Sequence, residues 1–391
     1  MPATSTGLEQ LISDPPPWVS EKRLGLLCNP ASIDRGFRHA KDLINSRFPG
    51  RLNAIFSPQH GFYAEKQDNM VESEDSRDPE TGLPVYSLYG RTLQPTAAMF
   101  DRIDVLVVDL QDVGTRVYTF AATLSYCLEK AAELDKRVLV LDRPNPLGGI
   151  AVEGNCLAPE FASFVGRHPI PMRHGLTLGE LATYMNEIHS IHCRLSVIPM
   201  KGWRREMFFP DTGLPWVPPS PNLPTPHAAM VYPGQVLLEG TNISEGRGTT
   251  TPFEVFGAPF LDPQHILSSL GGAELPGAVL RPVAFEPMFH KWRFCTCRGL
   301  HIHVTRPDAY QSYETSLKLL QAILYQYPEA FQWRKPPYEY EWEKLPIDLI
   351  AGTDRIRAQL ERLEPVEAMA GRWRRELEKY MRTAEAFHLY G

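Results

Sequence analysis

The chain has 391 residues, 43% hydrophobic and 22% charged, with 40 Lys+Arg against 46 Asp+Glu for a formal net charge of −6. That length exceeds what one compact core holds and predicts two or three units at roughly 150 residues each. The composition excludes a disordered or collagenous chain, and the acidic balance offers no basic field for a phosphate backbone, so no nucleic-acid partner is expected.

The first 20 residues lack the basic and apolar regions of a secretory leader, and no window reaches the ~18 apolar residues of a membrane span. Six cysteines (Cys28, Cys127, Cys156, Cys193, Cys295, Cys297) are scattered as reduced cytosolic thiols are. A cytoplasmic location with no membrane partner is therefore expected. The 36 prolines, against a usual ~5% of residues, point to long stiffened loops of the kind that carry sites.

In chain order, Leu24–Cys28 is a short apolar run, His39–Phe48 has helical periodicity, and Leu52–Phe56 is a second run. Val105–Leu110 is a third, Val117–Leu134 reads as an amphipathic helix, and Val138–Leu141 is a fourth run. Apolar strands alternating with helices predict an α/β fold, a Rossmann-like, doubly wound parallel sheet covered on both faces. No G-x-G-x-x-G follows the first run, so a classical NAD or FAD enzyme is not expected. Polar words instead follow each later run: Ser57-Pro58-Gln59-His60-Gly61 with Glu65 close behind, Gln111-Asp112 with Arg116 and Tyr118, and Asp142-Arg143-Pro144-Asn145. Ligands bind outside the carboxyl ends of such strands, so these three loops are expected to share one crevice.

Thr177–His189 predicts a helix with a capping box from Thr177 to Glu180. The stretch 218–226 is too rich in proline for either regular element and predicts an ordered loop, which carries Asn222. Val279–Phe285 and Leu300–Val304 read as strands, and Tyr313–Tyr327 and Asp354–Leu363 as helices. The expected division is a Rossmann-like domain over 20–260 and a smaller α+β domain over 261–391.

The segment Glu239–Thr251 sets Glu239, Asn242, Glu245, Arg247 and Thr249 among three glycines. Such a loop suits close approach to a polyhydroxy ligand; it also reads as a turn between domains in which Glu245 and Arg247 pair. His60 reads as a proton carrier or as a brace for its loop, and Asp112 and Arg116 as site residues or as a local ion pair. His301 and His303 share one strand face without a third ligand, and Cys295-x-Cys297 lacks a second pair, so no metal is expected. Glycoside cleavage needs a carboxylic acid to protonate the leaving oxygen. The candidate carboxyls are Glu65, Asp112, Glu239 and Glu245.

These words resemble the exo-acting β-N-acetylmuramidases (NamZ-type, YbbC-like), a family long filed as a domain of unknown function. The resemblance rests on SPQHGF (57–62), TGLPVYSLYG (81–90), DLQDVGTRVYTF (109–120), DRPNPLGG (142–149) and EGTNISEGRGTTTPFEVFGAP (239–259). It implies an active-site cleft between the two domains and a cofactor-free glycoside hydrolase that releases N-acetylmuramic acid from the non-reducing end of peptidoglycan fragments, in cell-wall turnover or recycling. The family word Pro-Glu-His-Gly places its natural acid where this chain has Gln59, and an amide donates no such proton. Glu65 or Glu245 is then the expected acid, with His60 and Asp112 as further catalytic candidates. Gln59, Gln111, Arg116, Tyr118, Asn145, Asn222, Glu239, Asn242, Arg247 and Thr249 are the expected substrate-binding residues. A non-catalytic binder of amino-sugar fragments, or a glycosidase of altered amino-sugar specificity, is the alternative.

Overall fold

A computed structural model describes residues 4–271 and 275–391. Its strands are β1 (Leu24–Cys28), β2 (Leu52–Ser57), β3 (Ser76–Arg77), β4 (Pro84–Ser87), β5 (Val105–Asp109), β6 (Arg137–Leu141), β7 (Glu153–Cys156), β8 (Pro171–Arg173), β9 (Arg194–Ile198), β10 (Val255–Ala258), β11 (Ala278–Phe285) and β12 (Cys297–Val304). The large sheet has the order β3-β4-β2-β1-β5-β6-β9, parallel throughout except for the antiparallel edge pair β3–β4. The chain fills one side of β1 and then crosses to the other, so the switch point lies at β1–β5, where Rossmann-like sheets open a crevice.

Alternation along the strands explains why both faces are covered. Leu24, Leu26 and Cys28 of β1, with Val105 and Val107 of β5, pack into one cluster beside the helix Ala40–Arg47. Their neighbours Leu27, Leu106 and Val108 point the other way into a second, larger cluster. That larger cluster continues through the helix Phe120–Glu133 into the helices Pro226–Gln235, Ser312–Gln326 and Pro346–Ala351, so the two parts of the chain share one apolar core. The packing is tight where Pro226–Gln235 meets Ser312–Gln326: a Cβ on Gly234 would stand 2.0 Å from the Ser312 carbonyl oxygen.

The smaller unit holds the antiparallel sheet β10-β12-β11. Its strand β10, at Val255–Ala258, comes before residue 260 in the chain, so a division at 260 would separate β10 from its partner β12. Two other elements differ from expectation for local reasons. Pro226 opens a helix, because proline fits the first turn and Thr225 caps it by accepting from the Ala228 N–H. The helix expected from Val117 starts at Phe120. Residues 117–119 stay outside it because Gly114 turns the chain at φ 70° and the Arg116 N–H is tied to the Met172 carbonyl.

Candidate active site

Outside the carboxyl ends of β2 and β5, a pocket is lined by Gln59, His60, Asn69, Val117–Phe120, Ser220, Asn222, Tyr232, Glu239, Arg247, Phe253, Tyr338 and Glu339, among others. Five segments build it, one of them the glycine-rich stretch that supplies Glu239 and Arg247. The one after β2 supplies Gln59 and His60, and the one after β5 supplies Tyr118 and Thr119. The proline-rich loop, tied to the end of β1 through Asn29 Nδ2 and the Pro219 carbonyl at 2.8 Å, supplies Ser220 and Asn222. The last, around Tyr338 and Glu339, comes from the C-terminal unit.

Glu339 is the residue that the sequence reading missed. It is buried, and its carboxyl accepts from Gln59 Nε2 at 3.1 Å and from the Tyr89 hydroxyl at 2.6 Å. Gln59 is oriented in turn by the Thr119 hydroxyl, which donates to its Oε1 at 2.6 Å. Burial raises the Glu339 pKa from its ordinary value to about 7; the nearby Glu239 adds to the rise, while the bonds from Tyr89 and Gln59 oppose it. Glu339 and Tyr340 hold φ of 44° and 65°, and His60 holds 78°. Left-handed backbone at residues other than glycine costs of order 1–3 kcal/mol each and clusters at functional sites.

Across the pocket, Glu239 accepts from Arg247 Nη2 at 2.6 Å, the Tyr338 hydroxyl at 2.7 Å and Asn69 Nδ2 at 3.1 Å. Burial disfavours the charge of Arg247, but Glu239 and Glu245 outweigh it, so the guanidinium holds its proton more firmly than usual. His60 is shifted the other way: burial lowers its pKa to about 4, leaving the ring neutral at pH 7. Its Nδ1 lies 2.8 Å from the Lys66 carbonyl and so donates there, which leaves Nε2 as an acceptor. Asn69 Oδ1 and Arg247 Nη1 and Nε are buried without a hydrogen-bond partner among the described residues. Such groups cost about 1–3 kcal/mol unless something else satisfies them.

The structure brings together Gln59, His60, Tyr118, Asn222, Glu239 and Arg247 of the expected residues, and the others lie outside the pocket lining. Glu65 is exposed; its carboxylate folds over Gly61 and accepts from the Tyr63 N–H at 3.2 Å. Glu245 is fully buried in an ion cluster with Lys291 Nζ at 2.6 Å, His290 Nδ1 at 3.2 Å and Arg247 Nε at 3.3 Å. Burial works against its charge, but Lys291, the bond from His290 and Arg247 hold its pKa well below the ordinary carboxylate range. Asp112 accepts from the Gly114 N–H at 2.7 Å and makes no ion pair with Arg116. Arg116 instead donates to four backbone carbonyls, those of Asn155, Ile170, Ile350 and Ala351.

The remaining four are held by their own surroundings. Gln111 Nε2 bonds the carbonyls of Asp112 and Pro144, and Asn145 joins the Leu176 carbonyl to the Leu147 N–H. Asn242 joins Ala330 to Gln332, and the Thr249 hydroxyl donates to the Gly246 carbonyl. The loop after β6 therefore supports the sheet rather than entering the crevice: Arg143 pairs with Asp109, and Asp142 caps the helix Leu178–Ile188 through Thr177 and the Gly179 N–H. Among the described residues no group of three or more His, Cys, Asp or Glu is placed to hold a metal, and no helix is long and apolar enough to cross a membrane.

Sequence and fold comparisons agree with this geometry. Family models described as Exo-beta-N-acetylmuramidase NamZ match residues 24–227 (N-terminal) and 230–390 (C-terminal). The chain is 40% identical over 389 residues to the Peptidoglycan beta-N-acetylmuramidase NamZ of Bacillus subtilis strain 168, covering 100% of this chain and 92% of that protein. Two crystal structures of DUF1343 family proteins from Bacteroides fragilis NCTC 9343 superpose on it. One has a TM-score of 0.89 at 32% identity, covering 100% of this chain and 99% of the other. The second has 0.74 at 30% identity, covering 99% of both. With its whole length matched and a crevice lined by carboxyl, amide and hydroxyl groups, the chain belongs to the exo-β-N-acetylmuramidase NamZ family of glycoside hydrolases.

Proposed function

We propose that Glu339 is the general acid with which this enzyme releases N-acetylmuramic acid from the non-reducing end of peptidoglycan fragments. The observation that carries this is a buried carboxyl, its pKa raised to about 7, bonded to the very amide that stands at the family's glutamate position. An acid is most effective when its pKa lies near the working pH, and a pair of carboxyls flanking the scissile bond is the usual equipment of glycoside cleavage. In the step, the Glu339 proton passes to the glycosidic oxygen as the C1–O bond breaks. Water then supplies the hydroxyl at C1, and its other proton restores the acid. Glu239, held by three donors, faces the positive charge that develops at C1.

Gln59 acts as a positioning residue that aims Glu339, and Tyr118, Asn222 and neutral His60 offer hydrogen-bonding partners to a sugar. The two units meet near residue 228, with the site formed by both, and the enzyme works in the cytoplasm. A panel of chromogenic glycosides tests this reading. Turnover of the terminal N-acetylmuramic acid glycoside at or above ~1 s⁻¹ supports it, whereas tight binding of that glycoside without turnover favours a sugar-binding protein instead.

The cavity at the pocket is about 30 Å³, room for about two waters and short of a sugar ring. Binding therefore displaces a wall. The segment 60–72 is that wall: it is joined across the pocket by a few side-chain bonds, Asn69 to Glu239, Asn222 Nδ2 to the Gln67 carbonyl, the Tyr340 hydroxyl to Glu72 and the Glu339 N–H to the Met70 sulfur. Amide exchange in 60–72 is expected to change on adding N-acetylmuramic acid, while exchange in β1 and β5 stays as it was. A segment whose exchange does not respond to saturating ligand contradicts the assignment.

A further inference from the structure

We propose that Arg247 reads the carboxylate of the 3-O-lactyl group, the group that distinguishes N-acetylmuramic acid from N-acetylglucosamine. The inference rests on the muramidase reading above and adds the residue that sets its specificity.

Among the described residues Arg247 is the only cationic side chain in the pocket lining, because the other ionisable nitrogen, on His60, is neutral at pH 7. The pocket already holds Glu239 and Glu339, so a substrate bringing a third carboxyl needs a cation to meet it. Of the three guanidinium nitrogens only Nη2 is hydrogen-bonded, to Glu239 at 2.6 Å; Nε stands 3.3 Å from Glu245 as an ion pair. Nη1 and Nε are buried with no hydrogen-bond acceptor among the described residues. A planar fork whose Nη1 donors are buried and unused suits a carboxylate.

The head is also held rigidly. Gly246 and Gly248 flank it with φ of 78° and 81°, and a Cβ at either would stand 2.6 Å from the Val255 oxygen or 2.8 Å from the Phe289 nitrogen. The guanidinium carbon lies 5.0 Å from the centre of the Phe253 ring. An arginine tethered by two carboxylates and an aromatic face loses little freedom when it takes up a further acceptor. Glu239 and Glu245 thus aim the group as well as balancing its charge.

The test compares three probes on the wild-type enzyme and on Arg247→Gln and Arg247→Lys: N-acetylmuramic acid, its lactyl amide, and N-acetylglucosamine. Each is measured as a competitive inhibitor of chromogenic glycoside turnover and by calorimetry. The acid is expected to bind wild type about 10- to 100-fold tighter than the amide, as for a hydrogen bond to a charged group. Arg247→Gln is expected to bind acid and amide equally, and Arg247→Lys to keep part of the preference. A merely structural arginine would weaken all three probes alike and leave their ratio unmoved. If the glutamine variant does not fold, the wild-type ratio still decides: acid and amide binding equally overturns the proposal while leaving the muramidase reading standing. Wild type that neither binds nor cleaves any N-acetylmuramic acid compound overturns both.

Discussion

Glu339→Gln is expected to lower kcat on substrates with a sugar leaving group by roughly 10²–10⁴-fold, the usual contribution of a positioned proton donor. On an aryl glycoside whose leaving group needs no proton, the loss should be far smaller. The amide keeps the size of the side chain and can still meet Gln59 and Tyr89, so the substitution removes the proton with little change in shape. KM should move little, because the lost interaction belongs to the transition state rather than to the bound substrate. The same comparison on Glu65→Gln should show rates close to wild type for both substrates, since that carboxylate is exposed and faces its own turn. A Glu339→Gln enzyme that cleaves both substrates at wild-type rates removes Glu339 from the chemistry.

The largest effect on stability is expected from Glu245→Gln. Removing one partner of a buried ion pair leaves the rest uncompensated and costs on the order of 3–5 kcal/mol. Here Lys291, His290 and Arg247 all converge on the one carboxylate. Lys291 also donates to the carbonyls of Leu238, Thr241 and Ile243, so the cluster fastens the 286–295 segment to the glycine-rich loop. The folded-state pKa of Glu245 lies below its ordinary value of 4.5. Its contribution is therefore fully present above that pH and is lost as pH falls through the range below it. Denaturant midpoints should show a gap between wild type and variant that is constant from pH 8 to 5 and narrows under more acid conditions. A gap that widens in acid contradicts the assignment.

The sheet could be read from the sequence because β1, β2, β5 and β6 are short, mostly apolar runs, nearly all of whose residues are buried on both faces. The helix Leu178–Ile188 announced its own start through Thr177 and Glu180. Harder to see were the short strands β3, β4, β7 and β8, at two to four residues each, whose pairing depends on distant partners rather than on a local period. The site was half legible. Gln59, His60, Glu239 and Arg247 stood in polar words at strand ends or among glycines, where close approach to a ligand is possible.

Glu339 escaped because it lies 280 residues from Gln59 in an irregular loop, and only the fold sets the two side by side. A signal was present: Pro336-Pro337-Tyr338-Glu339-Tyr340-Glu341-Trp342 crowds prolines, aromatics and carboxyls into a segment with no helical or strand period. Conversely Asp112, Arg116 and Asn145 looked functional because they are polar and follow strands. They are polar because buried backbone at the loop bases needs partners, which Arg116 shows by serving four carbonyls.

The pH dependence of kcat/KM on an N-acetylmuramic acid glycoside with a sugar leaving group tests the central assignment most directly. A general acid works only while protonated, so the rate should fall as pH rises through about 7, the value to which burial and Glu239 lift Glu339 against Tyr89, Gln59 and Arg247. Tyr89→Phe and Gln59→Leu each remove a donor that lowers that pKa, so each should move the basic limb to higher pH. A limb near neutrality that shifts upward in both variants and disappears with an activated aryl leaving group is the predicted result; a profile flat from pH 5 to 9, or a limb that neither variant moves, would contradict it.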